Sequence, residues 1–427
     1  MTGGMPLSRR AVFAGATAAM AAQILPAFAG DTALEELMQA QQHQEWKQKF
    51  DDGANTPVEE IKSDHPLLSP DTAANIEAAI PSMQDIVTRG GWPKVPDRER
   101  LKLGSRGDAV KALRVRLMIS GDLPQQQAGE SDIFDSYVNA AVKRFQVRHG
   151  MLQTGIVDKP LFDIMNVSAD TRLQQLQTNL IRVKAMSGFL GDRFIFVNIP
   201  AAEMEVVEGG RVVQRHNAVV GQVSRQTPIL SSKINQIIFF PYWHVPISII
   251  RKDLIPHMQQ DPNYLASEHI RIFDNKGREI PPETINWQSD EAAKYAFRQD
   301  PGEINAMATI KINFPNPYDV YMHDTPFRNL FGDNQRFHSS GCMRIQNVRD
   351  VVAWILRDTP NYTTDEQIDA AIASGVHQEV AVKTPVPVYT NYITAWATRE
   401  GVIHFRDDIY GRDGIGELAQ LANVMDE

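Results

Sequence analysis

Cys342 is the only cysteine in a chain of 427 residues. It follows Ser339, Ser340 and Gly341 on a glycine-containing loop, shortly before an apolar helical run beginning near Val348. The reactive form of a cysteine is the thiolate, and an adjacent base can make and hold it. The base on offer is His323, which ends the strand-like stretch YDVYMH. An imidazole within hydrogen-bond reach can lower the thiol pKa and favour a thiolate–imidazolium pair. Gly341 lets the backbone pass close to a bound molecule, so the amides around Gly341 and Cys342 suit an oxyanion, with Ser339 and Ser340 supporting the loop. Arg344 is placed to hold a carboxylate or support the loop. Asp324 can orient the loop or His323, or simply cap a turn. Tyr321 and Trp243 can line a groove or pack in the core. These residue types suit acyl transfer through a cysteine. Spacing alone leaves equally open an unrelated surface histidine and a buried cysteine acting as a small hydrophobe.

The elements that must position these groups are β in character. From Arg193 onward, RFIFVNIP and AEMEVVEGGRVVQRHNAVVG read as strands, with Gly209-Gly210 as a hairpin turn. NQIIFFPYWHVP is a strand running into a Pro-bounded loop, and strands resume at ATIKINF and YDVYMH. Residues 247–300, roughly, are mixed and loop-rich, with a turn at Asn275-Lys276-Gly277, and read as an insertion. The spacing predicts a helix from Val348 to Leu356 with Asn347 as its cap and Asp350 in its first turn. VPVYTNYITAWATREGVIHFRDDIYG reads as a hairpin turning at Glu400-Gly401.

Ahead of the β region, residues 101–167 form a compact helical unit. Asp108 can cap a helix carrying Val110, Leu113 and Leu117. Asp135 or Ser136 can cap a second with Val138, Ala141, Val142 and Phe145. Asp158 and Pro160 start a third with Leu161, Ile164 and Met165. The expected fold class is α+β. The expected divisions are 1–29, a leader; 30–97, a helical region without an assignable role; 98–168, the helical unit; 190–412, the β domain with its insert; and 413–427, a tail.

A formal net charge of −9 argues against a general nucleic-acid binder, and 43% hydrophobic with 22% charged residues reads as globular. Arg9-Arg10 followed by an uncharged, Ala-rich stretch ending in Ala27-Phe28-Ala29 is the pattern of a twin-arginine secretory leader. The apolar stretch is too short and too weakly hydrophobic for a membrane span. A periplasmic location is the expectation, and there a lone free thiol is a liability unless it has a task.

The stretch VYMHDTPFRNLFGDNQRFHSSGCMRI resembles the active-site signature of L,D-transpeptidases with a YkuD-type catalytic domain. RQTP at 225–228, FFPYWHVP at 239–246 and RQDPGEINAMATIKINFPN at 298–316 support the likeness. LKLGSRGDAVKALRVRL, AAVKRFQVRHGM and TGIVDKPLF resemble the three-helix peptidoglycan-binding domain of cell-wall enzymes. Together with GGWP, these strings resemble the large periplasmic members whose insert lies over the active site. The resemblance puts the nucleophile on Cys342 and the general base on His323. Ser340 stands where the Ser-His-Gly-Cys form of the motif has histidine, so His338 is not promoted to base. Ala308 stands where relatives usually carry glycine.

The resemblance implies a two-step transfer. Cys342 takes the acyl group of a tetrapeptide stem with release of D-Ala, and the side-chain amine of a diaminoacid on a neighbouring stem receives it, giving a 3→3 cross-link. It further implies acylation by carbapenems, no metal or cofactor, and an insert that acts as a lid. A hydrolase or carboxypeptidase acting on the same stems, an enzyme anchoring an envelope protein to the wall, and a non-catalytic wall-binding protein remain as alternatives.

Overall fold

The computed structural model describes residues 63–416, apart from positions 98, 129, 187 and 189. The expected leader, the first part of the 30–97 region and the end of the tail lie outside the described residues.

The first helix among the described residues is α1, Pro70–Thr88, whose first-turn proline suits a helix start. A unit with its own core follows. Helix α2, Asp108–Ile119, buries Val110, Leu113 and Leu117; helix α3, Ser136–Arg148, buries Val138, Ala141, Val142 and Phe145; helix α4, Lys159–Met165, buries Leu161, Ile164 and Met165. The expected apolar faces are those that pack. The caps differ in detail. Asp135 Oδ1 accepts from the Val138 amide, whereas Asp108 is already the first helical residue, and Gly107 occupies the cap position at φ 117°. A further long helix, α5 (Ala169–Met186), leads into the β region and packs on α1.

Nine strands form the main sheet: β1 (Arg193–Asn198), β2 (Glu203–Glu208), β3 (Arg211–Gly221), β4 (Leu230–Phe239), β9 (Ile310–Asn313), β10 (Met322–His323), β11 (Phe337–Ser339), β12 (Met343–Ile345) and β13 (Gln378–Asn391). Their order is β11-β3-β12-β10-β9-β4-β13-β1-β2, and β2 also pairs with β3, so the sheet closes on itself. Gly209 and Gly210, both at positive φ, make the β2–β3 turn, a conformation glycine adopts without a Cβ penalty. The enclosed core is lined by Val197, Met204, Ile237, Ile312, Met322 and Met343, among others. Helix α6, Val348–Leu356, presses Val348, Val351, Val352, Ile355 and Leu356 against it. Asn347 occupies its cap position with a left-handed backbone and makes no side-chain cap bond, so its part is the bend rather than the expected capping oxygen.

The insert is more ordered than its sequence suggests. Strands β5 (Trp243–His244), β6 (Ile270–Phe273), β7 (Glu279–Ile280) and β8 (Ala296–Gln299) form a separate antiparallel sheet in the order β5-β8-β6-β7. A core that includes Ile250, Leu254, Leu265, Ile272 and Phe297 fills it. The final hairpin pairs β14 (Ala395–Ala397) with β15 (Ile403–Phe405) around Gly401. Among the described residues, no helix is long and apolar enough to cross a membrane.

Candidate active site

Strands β10 and β12 run parallel, with Met322 opposite Met343 and His323 opposite Arg344. The Met343 amide donates to the Tyr321 carbonyl, extending that register one step back to Tyr321 and Cys342. Side chains alternate across a strand, so the two methionines point into the core. Tyr321, His323, Cys342 and Arg344 therefore share the opposite face. Diagonal neighbours on one face of a sheet are close enough for long or aromatic side chains to meet. Strand β9 adds Lys311 to this face, opposite His323.

The histidine is set for one role by its backbone. Its Nδ1 lies 2.5 Å from the Asp324 carbonyl, and a carbonyl only accepts, so Nδ1 carries the proton and Nε2 keeps a lone pair. Burial, reinforced by the Arg344 guanidinium, pushes the imidazole pKa down to about 3. The Asp324 carboxylate turns elsewhere: Oδ2 accepts from the Thr309 hydroxyl at 2.6 Å and the Thr309 amide at 3.3 Å. Asp324 thus holds the loop through its side chain and His323 through its main chain.

Cys342 is partly exposed. Burial pushes its thiol up from the ordinary value, opposed by hydrogen bonding to Tyr321 and by the charges of Lys311 and Arg344. The expectation of a thiol pKa lowered by an imidazole is not met in this state. Desolvation of the anion outweighs the cations, which favours the neutral thiol. The Tyr321 hydroxyl lies in hydrogen-bond reach of both the Cys342 sulfur and the Trp243 side chain, which ties the insert's first strand to the thiol. Arg344 is half-buried, its Nε has no hydrogen-bond partner, and burial lowers its pKa. A guanidinium so placed favours an arriving anion.

The loop before the thiol is held from several sides. Gly341 adopts φ 108°, and a Cβ there would meet the Gln226 carbonyl oxygen at 3.4 Å. Its amide donates to Ser339 Oγ, and Ser339 Oγ donates to the Cys342 carbonyl at 2.5 Å. Thr227 Oγ1 donates to the Gly341 carbonyl at 2.9 Å. With the Gly341 amide engaged, the Ser340 and Cys342 amides are the loop's other candidate donors to an oxyanion. Ser340 is exposed, and its Oγ accepts from Arg225 Nη1 at 2.8 Å. Arg225 also grips Asp253 of the insert at 2.6 and 2.9 Å, so one side chain joins the insert to the cysteine loop. His338 is exposed, and its Nε2 lies 2.8 Å from the Gln335 carbonyl.

Sequence reasoning missed Lys311 and Arg225. Lys311 Nζ sits 4.0 Å from the Tyr321 ring centroid, and burial lowers its pKa. Its signal was the alternation in TIKINF: with Ile310 and Ile312 buried, Lys311 must point to the other face. Arg225 stood in the sequence only as part of the RQTP string, because its partners Asp253 and Ser340 lie far along the chain.

A thiol, an imidazole and a guanidinium thus share one sheet face. Residues 192–388 match the YkuD family, described as "L,D-transpeptidase catalytic domain", and residues 106–165 match a family described as "Putative peptidoglycan binding domain". Residues 192–388 are thus similar to L,D-transpeptidase catalytic domains and residues 106–165 to peptidoglycan-binding domains. A relative from Haemophilus influenzae named "Putative L,D-transpeptidase" is 32% identical over 249 residues, which is 58% of this chain and 50% of the relative. The chain thus spans about half the length of that relative. Among solved structures, an L,D-transpeptidase from Mycobacterium smegmatis is 14% identical, covering 47% of this chain and 58% of that one, with a TM-score of 0.24. One from Xylanimonas cellulosilytica is also 14% identical, covering 69% and 99%, with a TM-score of 0.23. Scores this low do not establish a shared overall architecture.

Proposed function

We propose that this protein forms 3→3 cross-links between peptidoglycan stem peptides through a Cys342 thioester, with release of D-Ala. The observation that carries the reading is the register of β10 on β12, which puts Tyr321, His323, Cys342 and Arg344 on one face. In the proposed course, Arg344 takes a carboxylate of the donor stem. His323 Nε2 then accepts the thiol proton as sulfur attacks the carbonyl of the bond to the terminal D-Ala. The Cys342 amide donates to the oxyanion. Collapse breaks the C–N bond, and the imidazolium returns its proton to the leaving amine. The thioester then meets the side-chain amine of a neighbouring diaminoacid. His323 removes a proton from that amine, the new amide forms, and the proton goes back to sulfur. Because burial favours both groups in their neutral forms, charge separation begins only with substrate in place, and Lys311 and Arg344 then favour the thiolate.

The same thiol would be acylated by carbapenems. The insert, joined to the cysteine loop through Arg225 and Asp253, would act as a lid that limits water at the thioester. Periplasmic action after twin-arginine export is proposed from Arg9-Arg10 and Ala27-Phe28-Ala29 alone. The test is to incubate the protein with disaccharide-tetrapeptide and resolve the products by mass spectrometry. A dimer appearing with loss of D-Ala, absent in Cys342→Ala, is the expected result. Tripeptide alone would turn the reading to a hydrolase or to an enzyme awaiting a protein acceptor. Unchanged substrate would return the chain to a wall-binding role.

A further inference from the structure

Residues 406–413 follow the β14–β15 hairpin and lie beyond the span 192–388 matched by the YkuD family. They nonetheless reach the turn that carries the cysteine loop. Tyr410 is 8% exposed, and burial pushes its phenol up to about 12, so the hydroxyl keeps its proton. That hydroxyl donates to the Gly221 carbonyl at 2.5 Å and accepts from the Thr227 amide at 3.3 Å. The Gly221 amide in turn donates to Thr227 Oγ1 at 2.9 Å. Tyr410 and Thr227 between them hold both backbone polar groups of Gly221, the last residue of β3.

The turn 221–227 is too tight for a side chain at its start. A Cβ on Gly221 would sit 2.2 Å from the Arg225 carbonyl oxygen and 2.6 Å from the Thr227 nitrogen. From this fixed point the turn reaches the cysteine loop twice. The Gln222 amide donates to the Ser339 carbonyl at 3.0 Å, and the fully buried Thr227 donates through Oγ1 to the Gly341 carbonyl at 2.9 Å. The second contact bears on the chemistry. The Gly341 carbonyl and the Cys342 amide belong to one planar peptide unit, in which C=O and N–H point opposite ways. Holding the carbonyl therefore fixes the line along which the Cys342 N–H points.

Tyr410 is itself held. Its amide donates to the Tyr392 hydroxyl at 2.8 Å, and the two rings stack with centroids 5.6 Å apart. The Tyr392 hydroxyl donates to the Asp408 carboxylate at 2.7 Å, and the Arg412 and Asp413 amides donate to the same carboxylate at 2.7 and 2.8 Å. Arg412 Nη2 reaches the turn directly, donating to Gln226 Oε1 at 2.7 Å. A buried polar network with its members satisfied is rigid, and this one ends on Gly221 and Thr227.

We infer that Tyr410 is a positioning residue for acyl transfer: through Gly221 and Thr227 it aims the Cys342 amide at the oxyanion. The inference rests on the proposed role of Cys342 as nucleophile. It adds that a segment beyond the matched catalytic span sets the direction of an oxyanion donor.

The test compares two reactions of the same thiol in full-length protein, each corrected for labelling of Cys342→Ala. In acetylation by 4-nitrophenyl acetate, sulfur adds to the ester carbonyl through a tetrahedral oxyanion. The C–O bond then breaks, 4-nitrophenolate leaves with the electron pair, and the thiol proton passes to the imidazole and on to solvent. In alkylation by iodoacetamide, sulfur displaces iodide directly and no oxyanion forms. Tyr410→Phe keeps the ring and deletes the hydroxyl. It is expected to slow acetylation about tenfold, while the alkylation rate and its pH inflection stay as they are. Thr227→Val should act alike, and the double variant should lose no more than the slower single one, because both cut one path. An unchanged acetylation rate in Tyr410→Phe would overturn the assignment. So would equal slowing of both reactions, which marks a general loosening, or losses that multiply in the double variant. Thioester formation from disaccharide-tetrapeptide is read separately in the unaltered protein. Failure of the stem as donor would leave the acetylation result standing, so the two failures are told apart.

Discussion

At the residue scale the unusual feature is the proposed nucleophile, a thiol whose pKa burial pushes up rather than down. Burial raises the Cys342 thiol while Tyr321, Lys311 and Arg344 pull it the other way. In the free protein, alkylation of Cys342 by iodoacetamide should therefore rise with pH through an inflection above that of an ordinary cysteine. Tyr321→Phe should move the inflection higher, because it removes the hydroxyl that stabilises the thiolate. An inflection well below the ordinary thiol range would mean a resting ion pair and would contradict this picture. The residues themselves were legible in sequence: Cys342, His323, Gly341 and Arg344 stand out by type and motif. Their charge state was not, since desolvation is a property of the assembled face. The role of Asp324 was only half legible, because sequence cannot tell a carboxylate turned to Thr309 from a carbonyl turned to His323.

At the scale of elements, short strands do the positioning. β10 and β12 are only long enough to fix one register, and their neighbours β9 and β3 fix the sides. The loop before β9 carries a conformational cost at Ala308, which sits at φ 45°. A left-handed alanine costs roughly 1–2 kcal/mol, of which glycine's extra unfolded-state freedom gives back about 0.4–1 kcal/mol. Ala308→Gly should thus raise stability by up to about 1.6 kcal/mol, read as a higher Tm with transfer activity retained; a lower Tm would show that the alanine methyl contributes packing. Strand alternation, the Gly209-Gly210 turn and the α6 run were readable because local periodicity records them. The insert was not. Its strands β5, β6, β7 and β8 are short and scattered in sequence, and only pairing through β8 makes them a sheet. The long helix α5 also went unread, since its buried face mixes Arg172, Gln175 and Asn179 with Leu173 and Leu176.

At the scale of the whole molecule, the closed sheet, the insert and the helical unit each carry a core. Polar groups are buried at the seams, and some titrate. His216, 7% exposed on β3, has its pKa pushed down to about 4 by burial. The unfolded chain, with an ordinary value near 6.5, binds the proton that the folded protein refuses. Its contribution to stability is present above pH ~6.5 and is lost as pH falls from there toward about 4. His216→Gln should flatten the fall of Tm across that window, whatever it does to Tm at neutral pH; an unchanged slope would show that His216 is solvated or charged in the fold. Burial pushes Glu205, Asp407 and Asp413 upward, which works in the opposite sense, so the comparison must be variant against unaltered protein.

The central claim is that Cys342 carries the acyl group and His323 moves the proton. Intact-protein mass spectrometry after brief mixing with a tetrapeptide donor, without acceptor, tests it most directly. The account predicts an adduct of the donor stem less D-Ala, located on Cys342. It should be absent in Cys342→Ala and should form at least about 100-fold more slowly in His323→Asn. An adduct that persists in Cys342→Ala, or one that forms at full rate in His323→Asn, would contradict it.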